Sequence, residues 1–338
     1  MNLINILNHI LRPLEWVVAQ LLTLFHHALV TFGMTAGPSP AWGIAIMCLV
    51  LVIRICLLPL FLSQMRAMQR IQVLQPQIQR IQHKYAARKD PRSKEAMQRE
   101  IMALQQRYNA NPLGSCLPSL IQAPILCSLF YTLQSLPAIA DGNAEPLGGI
   151  DHTMAGDIES SSIFGVRIAD SFGTVASPQS RIIIGVAVAL MCLTLFAIQW
   201  MLIHRNTSKD AMVSPQFRVQ KMTVFVFPAI YVVSGATLPF GVLLYWLTNN
   251  LWNLGQTLCQ LRWFPTPGSA AGERKARRDY EQDNRRRAAA GLPSLEEERA
   301  MAAREEAKAR REREKSAASR NRKQHKTPHL AKRSIVKR

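Results

Sequence analysis

The chain has 338 residues, 48% of them hydrophobic, yet it carries a formal net charge of +19. Apolar and charged residues are segregated along it rather than mixed, which excludes an ordinary soluble domain and points to a polytopic membrane protein with a basic tail. It contains no G-x-x-x-x-G-K-[ST] loop, H-E-x-x-H or G-x-S-x-G, so it is not read as an enzyme, and no cofactor or metal is expected.

The opening "MNLINILNHILRPLEWVVAQLLTLFHHALVTFG" lacks the basic start of a signal peptide and is interrupted by Arg12 and Glu15. Residues 14–32 set Trp16, Phe25 and Phe32 among leucines with His26 and His27. That pattern predicts an interfacial amphipathic helix, making 1–41 an external N-terminal segment; a sixth spanning helix is the competing reading.

The first span is predicted over 42–62, and it holds an arginine. Arg54 is about 18 Å from Trp42 at 1.5 Å per residue, well inside the apolar run. A charge at mid-membrane costs about 2.5–3.5 kcal/mol on insertion scales. Arginine cannot lose its proton to escape that cost, so it needs an acceptor or water.

Residues 63–111 form a predicted cytoplasmic hairpin. Met65, Met68, Ile71, Leu74, Ile78, Ile81 and Tyr85 recur at helical steps. After the breaker "RKDPRS", Met97, Ile101, Leu104 and Tyr108 do the same. Pro76 should bend the first arm. The hairpin is either a solvated element with its own seam or a mobile paddle for lipid headgroups or incoming peptide.

Further spans are predicted at about 113–136, 181–203, 222–238 and 240–261, with Pro239 and Gly241 as the tight turn between the last two. Alternate loops differ in charge. The stretch 63–111 has ten Lys/Arg against three acids, 137–180 has Arg167 against six acids, and 262–338 has 23 basic residues against 11 acidic. The positive-inside rule then puts the loop 137–180 outside and the tail in the cytoplasm. The six cysteines lie in or beside apolar runs without C-x-x-C spacing, which argues against disulfides and zinc.

None of the five spans contains Asp or Glu, so Arg54 has no internal ion-pair partner. Polar residues are nonetheless present: Ser115, Ser119, Gln122, Ser128 and Thr132 in span two, Gln199 in span three, and Tyr245, Thr248, Asn249 and Gln256 along one face of span five. Each alone is commonly interhelical glue. With an unpaired arginine they predict a hydrated groove whose one fixed charge is positive. The tail 262–338 is Ala/Glu/Arg-rich in its middle and reads as disordered from about Ser316; anionic lipid or ribosomal RNA would suit its charge.

Three stretches carry a family resemblance: "LVIRICLLPLFLSQMRAMQRIQVLQP", "YNANPLGSCLPSLIQAPILCSLFYTL" and "LPFGVLLYWLTNNLWNLGQ". With these the chain resembles the YidC/Oxa family of membrane protein insertases, over about 42–136 and 181–261. The resemblance implies an all-α polytopic fold, five spans around a groove open to cytoplasm and lipid and closed outside. It also implies insertion and chaperoning of nascent membrane proteins in a bacterial plasma membrane without nucleotide hydrolysis. By motif position, Arg54 would receive hydrophilic substrate segments, Gln122 would line the groove and Trp246 the sliding face; Gln199, Tyr245, Asn249 and Gln256 complete the candidate groove from the polar pattern. Nascent chains, the ribosome through the tail, anionic lipids and the Sec translocon are the candidate partners. With no large domain before the first span, the chain looks like the short form from single-membrane bacteria. The rival class is a secondary transporter or channel for a small polar or anionic solute, against which stand the missing inverted repeat and the missing intramembrane carboxylate.

Overall fold

The computed structural model describes residues 3–88, 90–110 and 117–325, without the side chains of 3–10, 117–121, 215–216 and 318–325. The expectations for Ser115, Cys116, the side chain of Ser119 and the tail beyond His325 lie outside the described residues. The fold is all-α and polytopic, as expected. In chain order the helices are α1 (Leu3–Thr31), α2 (Pro40–Cys56), α3 (Leu58–Tyr85), α4 (Pro91–Arg107), α5 (Leu117–Ala140) and α6 (His152–Ser160). They continue with α7 (Pro178–Arg205), α8 (Pro215–Thr237), α9 (Phe240–Trp263), α10 (Ala270–Ala289) and α11 (Leu295–His325). The chain divides into two units, 1–273 and 274–338.

Within the first unit, Leu11–Thr31, Gln122–Ala140, Pro178–Arg205 and Phe217–Thr237 are each long and apolar enough to cross a membrane. Helices α2 and α3 together make a fifth such segment, bent by 55°. The bend differs from the unbroken span expected over 42–62. Its cause is Pro59, the second residue of α3, which cannot donate to the carbonyl of Ile55 and crowds the preceding turn. The amide of Leu57 still bonds Ile53, and Phe61 restarts the ladder on Leu57. Pro76, by contrast, sits inside an unbroken α3.

Helices α8, α7, α9, α2 and α1 pack side by side in that order. Helix α5 lies against α1 and touches α9 only slightly. The main core gathers Leu22 of α1, Trp42, Ile46 and Leu49 of α2, Leu129 and Leu136 of α5, and Tyr245 of α9. Trp42 stacks on His26 at 3.8 Å, fixing α1 on α2. So the N-terminal helix is both amphipathic and long enough to span, and it is packed along its length against two neighbours.

The acidic loop is built rather than loose. Asp151 caps α6, its carboxylate accepting from the Met154 amide at 2.7 Å, and a two-residue antiparallel hairpin follows, β1 (Ser162–Ile163) and β2 (Val166–Arg167). The amides of Phe240 and Gly241 donate to the carbonyls of Asp170 and Ile168 at 2.7 and 2.9 Å. A Cβ at Gly43 would lie 2.0 Å from Ile163 Cδ1, and one at Gly241 would lie 2.7 Å from Ile168 Cγ2. Glycine at both positions lets the loop seat directly on the starts of α2 and α9.

At the opposite end, α3 and α4 form the expected antiparallel hairpin, with Ile71, Leu74 and Ile78 against Ile101 and Leu104. Asp90 caps α4 through the Ser93 amide at 2.8 Å, and Lys84 meets Glu100 at 2.9 Å. In the second unit, α11 runs through Ser316 to His325 where disorder was expected, since Ala, Arg, Lys and Gln there are good helix formers. Exposed pairs such as Arg310–Glu314, 3.0 Å apart and four residues apart in sequence, lace its surface.

Candidate functional site

The gap between α2, α5 and α9 is a cavity of about 450 Å³ lined by Arg54, Leu57, Leu60, Phe61, Gln64, Gln122, Ala123, Leu126, Asn249 and Asn253. Three consequences of the local sequence create it. Pro59 ends α2 just beyond Arg54 and turns α3 so that Leu60, Phe61 and Gln64 form one wall; α5 and α9 barely meet; and α9 turns Asn249 towards Arg54 of α2.

Arg54 carries the only charge among the lining residues. Its Nε donates to Oδ1 of Asn249 at 2.8 Å, and Nη2 donates to the same oxygen. A guanidinium has five N–H donors, so one neutral amide oxygen uses two of them and cancels none of the charge. One turn before Asn249, Tyr245 is buried, and its hydroxyl accepts from Nε2 of Gln122. These two contacts tie α2 and α5 to α9 around the cavity. Gln64 belongs to the same wall but is buried, its amide nitrogen sealed off and without a hydrogen-bond partner among the described residues.

The structure brings together Arg54, Gln122, Tyr245 and Asn249 of the seven candidate groove residues. The other three lie elsewhere. Trp246 faces α8, its ring stacked on Tyr231 with centroids 5.1 Å apart. Gln199 is half-buried on α7, which does not line the cavity. Gln256 lies in a separate apolar cavity with Trp252, Leu58, Leu62 and Phe264. Two polar lining residues were not among the candidates. Asn253, four residues beyond Asn249, has the helical spacing that would have found it. Gln64 was assigned to the hairpin, and only the bend at Leu57 returns it to the cavity.

Among the described residues no cluster of His, Cys, Asp or Glu could hold a metal ion. The five described cysteines are unbonded. What the cavity offers is an uncancelled cation, amide groups and apolar walls, suited to holding a polar or acidic segment beside apolar chain.

A family model described as 60Kd inner membrane protein matches residues 34–266. A protein of Bifidobacterium longum named membrane protein insertase YidC is 44% identical over 298 residues, 88% of each chain. Proteins of the same name from Streptomyces avermitilis and Tropheryma whipplei are 34% and 31% identical, over 79% and 82% of this chain. The alignment covers 61% of the Streptomyces protein and 91% of the Tropheryma protein.

Proposed function

The chain belongs to the YidC/Oxa family, and from that premise we propose that it is a membrane protein insertase and chaperone whose working surface is the Arg54 cavity. The observation that carries this reading is the guanidinium held by a neutral amide in a cavity with no carboxylate. A polar or acidic segment of a nascent chain entering from the hairpin end exchanges water for Arg54, Gln122 and Asn253, which lowers its desolvation cost part-way across. The client's apolar helix moves into lipid, and its burial supplies the driving force without nucleotide hydrolysis.

In this proposal the hairpin end and the tail are cytoplasmic and the loop end external, in a bacterial plasma membrane. The loop seated on Gly43 and Gly241 closes the outer side, so short translocated segments pass and folded domains do not. The basic tail draws the ribosome through rRNA phosphates and also favours anionic lipid, and the Sec translocon is a further partner.

The test is site-specific photocrosslinking to stalled ribosomes carrying a single-span nascent chain of increasing length, with probes at Leu126 in the cavity and Trp246 outside it. Crosslinks that begin at Leu126 and leave it as the chain lengthens support insertion through the cavity. No crosslink at any length, in a folded protein, refutes it and promotes the transporter reading. Deleting residues 274–338 in the same assay should weaken ribosome capture and flatten its salt dependence; unchanged capture removes the tail from the proposal.

A further inference from the structure

A second site lies along α3, next to the Arg54 cavity and separated from it by Phe61. One face of α3 runs from Leu58, Leu62 and Met65 straight on to Arg66, Gln69 and Arg70, at steps of three and four. The apolar part walls a cavity of about 440 Å³ shared with Trp252 and Phe264. The basic part walls one of about 420 Å³ with Gln77, Tyr108 and Pro267. Gln69 stands between the two, its amide donating to the carbonyls of Phe264 and Pro265 at 2.5 and 3.3 Å. The two cavities run end to end along α3 and the end of α9 as a trough divided at Gln69, greasy on one side and doubly cationic on the other.

Its depth is marked by Trp263 and Phe264, 58% and 46% exposed at the last turn of α9. Exposed aromatics at a helix end sit at the headgroup level of a bilayer. The arginines beside Pro267 therefore lie at the level of lipid phosphates. Neither cavity contains Asp or Glu, and Arg66 has no ion pair among the described residues. Arg70 spends one donor on the carbonyl of Asn109 at 3.2 Å and keeps the others. Two guanidinium groups with free forks match a phosphodiester, and the Tyr108 hydroxyl adds a donor.

We propose that this trough binds one anionic phospholipid, its phosphate on Arg66 and Arg70 and an acyl chain against Leu58, Leu62, Trp252 and Phe264. The bound lipid bridges the first arm of the hairpin to the end of α9. The site meets the Arg54 cavity only at Phe61, which lines both, and uses neither Arg54 nor Asn249, so its failure would leave the insertase proposal untouched.

The experiment is native mass spectrometry of the full chain in detergent with added phosphatidylglycerol, phosphatidylcholine or glycerol 3-phosphate. One tight phosphatidylglycerol adduct is expected, at least fivefold preferred over phosphatidylcholine and not displaced by equimolar glycerol 3-phosphate. Arg66→Gln with Arg70→Gln should lower its occupancy at least fivefold. Leu62→Trp, which fills the apolar end and leaves both arginines, should do the same, and keeps the test available if the double variant does not fold. Arg92→Gln with Arg99→Gln, exposed on α4, should change nothing. The proposal is overturned by equal uptake of phosphatidylcholine, by an equal loss in the α4 variant, or by the absence of a tight adduct. Displacement by glycerol 3-phosphate would reassign the basic end to free phosphate and overturn the lipid.

Discussion

The contact between Arg54 and Asn249 can be tested without any client protein. Replacing Asn249 by Leu removes the oxygen that accepts from both Nε and Nη2. A hydrogen bond to a charged group contributes about 1.5–3 kcal/mol. Part of that returns when water replaces the amide, because a polar cavity of about 450 Å³ has room for it. The interaction should therefore appear as about 1–2 kcal/mol, around and below the bottom of the charged range. The clean readout is a double-mutant cycle with Arg54→Met, by denaturant unfolding in a fixed lipid nanodisc. Asn249→Leu should cost stability in the native background and much less once Arg54 is gone. Coupling below about 0.5 kcal/mol, the level of residues that do not touch, would refute the contact. Arg54→Lys separates charge from geometry: it keeps the cation but not the Nε donor, so it should retain only part of the coupling.

Two other expectations come from the ends of the molecule. Gly43→Ala places a methyl group against Ile163 Cδ1 and should cost about 1–3 kcal/mol as overpacking; Ile163→Val should restore part of the melting temperature, and an unshifted melt would mean the loop does not sit where the geometry puts it. At the hairpin, the Ser93 amide holds the Asp90 carboxyl below its usual range. A lowered carboxylate pKa contributes stability that is complete above the ordinary value near ~3.9 and fades as pH falls through the lowered one. Hydrogen-exchange protection of the Ser93 amide should therefore drop at the acid end of that window in the native chain and stay flat in Asp90→Asn; identical profiles would show that the cap does not titrate.

Much of this architecture was legible in the sequence, because spans and hairpin are written in long-range patterns that local packing cannot overturn. Twenty apolar residues suit few surroundings other than a bilayer or a large core, and Ile71, Leu74 and Ile78 against Ile101 and Leu104 need a partner face. Short-range events were less legible. The bend at Leu57 follows from one proline, Pro59, whose effect was hidden by the apolar run on both sides. The β-hairpin and the turn after it are stabilised by seating Ile163 on Gly43 and Ile168 on Gly241, contacts between residues 120 and 73 positions apart. At the cavity, residue type picked out Arg54, Gln122 and Asn249 of the lining, with Tyr245 behind Gln122, but rotation about the helix axis decided the rest. Trp246 follows Tyr245 by one residue, about 100° around α9, and so faces Tyr231 on α8. Gln256 is seven residues beyond Asn249, on a similar face but about 10 Å further along, where the wall has become apolar.

The choice of a neutral partner for Arg54 has a physical logic. A carboxylate at position 249 would satisfy the guanidinium better, but under the proposed function a buried pair would have to be broken to admit a client, and breaking one by losing a partner costs about 3–5 kcal/mol. An amide holds the fork in place through one oxygen, leaving the charge and the remaining donors to the cavity. The desolvation cost of Arg54 is thus only partly met in the resting protein. In the proposed function an incoming acidic or polar segment would meet the remainder, so the affinity of the site for such a segment would be the same quantity that makes the arginine expensive to bury. Removing the expense, by Arg54→Met or by a carboxylate at 249, would stabilise the helices and remove the attraction together.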